Sequence, residues 1–152
     1  MNANRNLYNN EMICAISIYS ILTHLKTISI TKALLIFPLL SHKETIDFLR
    51  SKNTKVRSLE ELIIKKPDFF SNYNERFYSF LILSINSLTL LSEMGLVSID
   101  NSQIILNPNK KIDNNKAIIG LRAFNIFEAA QKLSVILKDE DKNLYLQLRV
   151  QL

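Results

Sequence analysis

Residues 85–106 read INSLTLLSEMGLVSIDNSQIIL, and the fold turns on how this stretch is read. The part up to Met94 reads as a helix that restarts near Ser84. Gly95 closes it, because a glycine just past the last turn takes the left-handed conformation of a helix C-cap at little cost. The period then changes. Leu96 to Leu106 forms two short apolar runs around Asp100-Asn101-Ser102, a hairpin signal without the stronger Asn-Gly turn. Helix, helix, glycine stop and hairpin is the layout of a winged helix.

The chain on either side is helical. NNEMICAISIYSILTHLK, from Asn9, reads as a first helix with Asn9 or Asn10 as its cap, Glu11 in the first turn and Lys26 at the C-terminal end. SITKALLIFPLL, from Ser29, is apolar on every side after Lys32, so it is expected to be buried on every side. Pro38 costs roughly 3 kcal/mol deep in a helix, so that helix should kink or end near it. Ser41-His42-Lys43-Glu44 has the capping-box pattern and predicts a fresh start. A basic loop, SKNTKVR, leads to a second capping box, Ser58 with Glu61, and a short helix stopped before Pro67. In DFFSNYNERFYSFLIL, Phe70, Tyr73, Phe77, Phe80 and Leu81 recur every three or four residues. After the loop NPNKKIDNNK, the segment AIIGLRAFNIFEAAQKLSVILK is the clearest amphipathic helix, with Ile119, Ala123, Ile126, Phe127, Ala130, Leu133 and Leu137 aligned and Gly120 weakening its start. NLYLQLRVQL closes the chain as a short helix or strand.

The expected fold is therefore mainly α: one helical domain over 1–152, with a winged-helix-like segment carrying a short β-hairpin. Its parts are a helical region at about 9–66, the winged-helix-like region at about 67–107, and a long helix and tail at about 117–152. The bulk properties agree. The 152 residues are 47% hydrophobic, enough for one core, and two glycines with three prolines are few for an all-β chain. No segment reaches the ~20 apolar residues of a membrane span, so no membrane is expected. The polar start shows no signal peptide, and the single cysteine permits no intrachain disulfide, so the expected compartment is the cytoplasm.

Candidate chemistry is sparse, and neither catalytic residues nor a metal or cofactor is expected. His42 stands at a helix start with no nucleophile in pattern, and Asp47 is off its face. His24 ends an amphipathic helix. Cys14 lies among Ile13, Ala15 and Ile16, where apolar surroundings raise a thiol's pKa and make it inert. One cysteine and two distant histidines make no zinc pattern, and two glycines build no phosphate loop. The acidic run at 139–141 reads as solvated. The helix before the hairpin offers Asn86 for base readout but no lysine or arginine, and it carries Glu93, so it suits protein docking better than a major groove. Phosphate contacts would instead come from Lys52, Lys55 and Arg57, with Lys65 and Lys66, or from Lys110 and Lys111, with Lys116. Apolar wing and tail positions, Val97, Ile99, Tyr145, Leu146 and Leu148, are the expected partner contacts.

The order of NNEMICAISIYSIL, LLIFPLLSHK, a basic loop, LLSEMGLVSI, FEAAQKLSVIL and LYLQLRVQL resembles the middle component of prokaryotic three-component ABC-ATPase conflict systems, which include the small subunit of Lamassu-type defence systems. Pro38, His42 and Lys43 lie in the most specific segment. The chain departs from the pattern at Asn9-Asn10, at Leu133-Ser134-Val135 and in its proline-free end. The resemblance implies an adaptor that joins an SMC- or Rad50-like ATPase to an effector, often a nuclease, in antiviral or anti-plasmid defence, with DNA sensed through the complex. The alternative is a stand-alone winged-helix transcriptional regulator that binds DNA as a dimer.

Overall fold

The computed structural model describes residues 2–151, with side chains from residue 10 onward. Gly95 works as the sequence predicts. Helix α7, as numbered below, spans Leu81–Glu93, and the glycine that follows has φ +73°. Leu96 N–H donates to the Leu91 carbonyl at 3.1 Å and Gly95 N–H to Ser92 at 3.0 Å, the paired bonds of a Schellman motif. Leu91 and Leu96 are both buried, which supplies the apolar contact of that motif.

In chain order the elements are α1 (Asn2–Leu25), β1 (Thr27–Ser29), α2 (Ile30–Ala33), α3 (Ile36–Leu40), α4 (Lys43–Arg50), α5 (Leu59–Lys65), a 3-10 turn (Pro67–Phe70), α6 (Tyr73–Ser79), α7, β2 (Val97–Asp100), β3 (Gln103–Leu106), α8 (Lys116–Ile119), α9 (Leu121–Ile136) and α10 (Asp141–Leu148). The fold is mainly helical with a small antiparallel sheet of order β1-β3-β2. The helix–hairpin succession has a winged-helix-like layout. Ile99 pairs with Ile104 across the hairpin, and Ile28 of β1 pairs with Ile104 from the other side. The turn residues Asn101 and Ser102 both have positive φ (51° and 64°), the signature of a type I′ turn, whose twist matches the strands.

One core runs from Cys14 to Leu148. Helix α1 is its axis: every residue from Cys14 to Leu22 is buried, and α7 and α9 pack along it. The sequence reads α1 as amphipathic, yet from Cys14 to Leu22 it is buried all round, because Ser17 and Ser20 turn their hydroxyls onto the carbonyls of Ile13 and Ser17 (2.8 and 2.7 Å) and cost little inside. Ala123, Ala129 and Ala130 let α9 approach α1 and α4 closely.

Several expectations need correction. Asn9 and Asn10 lie inside α1, so neither is its cap; the Asn9 side chain is outside the described residues. Residues 27–29 form a strand that the helical reading missed. The helix in residues 29–40 breaks at Leu34–Leu35, before Pro38 rather than at it. Pro38 then sits in the first turn of α3, where its missing N–H costs nothing. Ser41 does not cap α4: its hydroxyl donates to the Pro38 carbonyl at 3.2 Å, and His42 holds the N-cap position. Ser58 does cap α5, accepting from Glu61 N–H at 3.1 Å, but the Glu61 carboxylate reaches back to Arg57 N–H at 2.9 Å, one residue earlier than a capping box requires. Helix α7 runs through Ser84 without a restart. Gly120 (φ +86°) splits the C-terminal helix into α8 and α9.

Candidate partner-binding site

Helix α7 mixes serines with leucines on its buried face and leaves two isoleucines outside, Leu88 and Leu91 being buried with the serines. It buries Ser84 and Ser87 while Ile82 and Ile85 stand 73% and 48% exposed. The serines face α1. Ser87 Oγ donates to the Leu83 carbonyl at 2.8 Å and lies 3.2 Å from the Glu11 carbonyl, and the Cys14 thiol points at Ser84 Oγ at 3.8 Å. Small side chains on that face let the helices meet closely. Ile82 and Ile85 are left pointing outward, and Tyr78 near the end of α6 is also exposed, while Leu88 and Leu91 complete the buried face.

Beside these exposed side chains lies an open groove of about 800 Å³. Leu34, Phe77, Leu81, Tyr145, Leu146 and Val150 give it an apolar lining. Helix α10 forms one wall and is pinned from the β1–α2 junction. The Asp141 carboxylate accepts from the hydroxyls of Ser29 and Thr31 and lies 3.6 Å from Lys32 Nζ, and the Tyr145 hydroxyl donates to the Thr31 carbonyl at 2.6 Å. Burial, reinforced by Asp141, pushes the Tyr145 phenol up to about 12, so it remains a donor. Arg149 ends α10 in the left-handed conformation (φ 56°), and Val150 N–H returns to the Tyr145 carbonyl at 3.2 Å, folding the tail over the groove's rim. A second apolar recess, of about 500 Å³, lies between α4 and α9, with Ile46 and Leu121 on its wall and the exposed Ile118 nearby in sequence.

The expected partner contacts divide. Ile99 and Leu146 are exposed, and Tyr145 is half-buried in the groove. Val97 and Leu148 are not surface residues: at 5% and 4% exposure they belong to the core. Val97 and Ile99 share a strand face, but Val97 lies over the helices and Ile99 near the wing tip. The signal missed was in α7, where Ser84 and Ser87 share the inner face with Leu88 and Leu91 and leave Ile82 and Ile85 outside with Asn86 and Thr89.

The basic residues also divide. Lys52, Lys55 and Arg57 are exposed on the α4–α5 loop. Lys65 is occupied by the Lys55 carbonyl (2.8 Å) and Glu61 (2.9 Å), and Lys66 lies over the rings of Phe48 and Phe69. Lys110 and Lys111 lie elsewhere, on the strap after β3, and Lys116 begins α8. Pro38 is buried. His42 Nδ1 is 2.9 Å from Thr45 Oγ1 and Nε2 is 3.3 Å from Glu44, while Lys43 pairs with Asp47 at 3.8 Å, so the family-like segment here shapes the α3–α4 corner. Burial, then Arg76, holds His42 below its ordinary value. Cys14 is buried, with its thiol pushed up to about 11. Among the described residues no group of three metal-ligating side chains forms, and no helix is long and apolar enough to cross a membrane.

The profile of the family described as ABC-three component (ABC-3C) system Middle Component 3 matches residues 2–152. The chain belongs to that family. A Middle Component 3 protein is an accessory component of a multi-component system, so it has partner subunits. No curated protein and no solved structure matches the chain. For a Middle Component 3 chain, the exposed Ile82 and Ile85 of α7 and the α10 groove are the candidate surfaces for those partners.

Proposed function

We propose that this chain is a non-catalytic, cytoplasmic adaptor that bridges an SMC- or Rad50-like ATPase and an effector, often a nuclease, in a Lamassu-like antiviral or anti-plasmid system. The observation that carries this reading is α7, which keeps Ile82 and Ile85 in water while burying two serines. Exposed large apolar side chains in contiguous stripes mark interaction surfaces. The α7 stripe and α10 groove form one such surface, and the α4–α9 recess with Ile118 and Leu121 supplies a second, as bridging requires. Apolar burial contributes about 25 cal/mol per Å² before association costs are subtracted.

The test is co-purification from the native operon. Ile82→Asp with Ile85→Asp should release one partner and keep the other, with an unchanged circular dichroism spectrum. Leu121→Asp should release the other. Full assembly in both variants, or an operon lacking an ATPase gene, counts against bridging. Hydrolysis of DNA or nucleotide by the isolated chain counts against a non-catalytic role.

A further inference from the structure

A second pocket of about 800 Å³ opens between the end of α1, the β1–β3 pair and the strap 107–114. Lys26, Lys110, Lys111 and His24 line it, and no carboxylate does. This concentration of unneutralised cations is positioned by the fold. Lys26 has φ 66° and accepts the sharp turn from α1 into β1, and its ammonium donates to the Thr23 carbonyl at 2.7 Å. The Lys110 ammonium donates to the Met94 carbonyl at the end of α7. The strap is fixed by Asn107 Nδ2 on the Gly95 carbonyl at 2.8 Å and by Ile112 N–H on the Tyr19 hydroxyl at 3.2 Å. Each ammonium has three donors, so one internal bond leaves others free for a ligand. Among the described residues Lys111 forms no ion pair.

We propose that this pocket binds the phosphodiester backbone of duplex DNA. Three lysines converge on it, which is what a sequence-independent phosphate contact needs, and of the amides that also line it Asn107 is already engaged within the strap. Of the two aromatic rings that line it, Tyr19 is buried and meets the half-buried Phe127 edge-on at 6.2 Å. Helix α7 contributes no cation, so the contact lies at the strap and sheet edge, not at the helix that precedes the hairpin. The neutral His24 imidazole, held below its ordinary value by burial and then by Lys26, adds a hydrogen-bonding group beside the three charges. This inference does not depend on the bridging role.

Fluorescence anisotropy of the full chain with a labelled duplex, against salt, tests it. Three neutralised phosphates give a slope of log K against log salt of roughly −2.7. Lys111→Gln removes no internal hydrogen bond and should reduce that slope by about 1, and Lys26→Gln with Lys111→Gln by about 2. Lys110→Arg should retain binding. Lys52→Gln with Lys55→Gln, outside the pocket, should leave the slope unchanged. The proposal is overturned by absence of duplex binding, by equal losses in the two double variants, or by binding confined to an oligothymidine.

Discussion

The Tyr73 hydroxyl donates to the Leu35 carbonyl oxygen at 2.9 Å across the buried junction of α6 with the α2–α3 break. Leu35 is the N-cap residue of α3, next to Leu34, which caps the end of α2. Its carbonyl faces the core, where water cannot replace a lost partner. Burial also holds the Tyr73 phenol well above its ordinary value, so it stays a donor. Tyr73→Phe keeps the ring and removes only this bond. The expected cost is about 1–3 kcal/mol, read as a lower midpoint in urea with unchanged slope.

Val97 and Ile99 should respond oppositely to the same charge. Val97→Asp places a carboxylate in the core and should cost roughly 4 kcal/mol or more, enough to leave much of the protein unfolded. Ile99→Asp, near the tip of the wing, should change stability by less than about 0.5 kcal/mol. Thermal melts of the pair distinguish a core position from a surface one.

Arg149 closes α10 with φ 56°, a conformation that costs a non-glycine residue about 1–2 kcal/mol. Arg149→Gly should therefore raise stability by about 1 kcal/mol, and the melting temperature by about 2–4 °C for a chain of this size. Arg149→Ala should give no such gain.

Cys14 gives a pH signature. Its thiol lies at about 11 in the fold against 9.0 ordinarily. The raised value means the native state holds its proton after the unfolded chain has lost it, so the contribution is fully present below about pH 9 and is lost as pH rises towards 11. Two pKa units correspond to about 3 kcal/mol. Because Tyr73 and Tyr145 are also raised, the measurement is the stability difference between the native sequence and Cys14→Ala, which should change by that amount across the window in favour of the variant. A thiol reagent at pH 8 should label Cys14 only on unfolding.

Much of the fold was legible because local chemistry and tertiary structure agree. Gly95, the two-residue reversal at Asn101-Ser102 and the apolar stripe of α9 each carry a signal within a few residues. The sharp turns at Lys26 and Arg149 carry none, since left-handed residues are expected to be glycine or asparagine. Strand β1 was hidden for that reason, although Thr27-Ile28-Ser29-Ile30 alternates with β-branched residues and could have been read as extended. The site was harder. Whether Val97 or Ile99 faces solvent depends on which helices lie beneath the sheet, not on strand period. The basic pocket joins residues 24–27 to 110–111, a proximity created by the β1–β3 pairing and invisible to a linear reading.

That pairing also orders events in time. β2 and β3 are joined by two residues and can close at once, whereas β1 waits for a partner about half the chain's length away. During synthesis β1 is made long before β3, so the sheet is completed only after the hairpin has formed. Closing so long a loop carries an entropic cost that short-range helices do not meet. Assembly of the three strands should thus be the slow step by which the nascent polypeptide commits to its final shape.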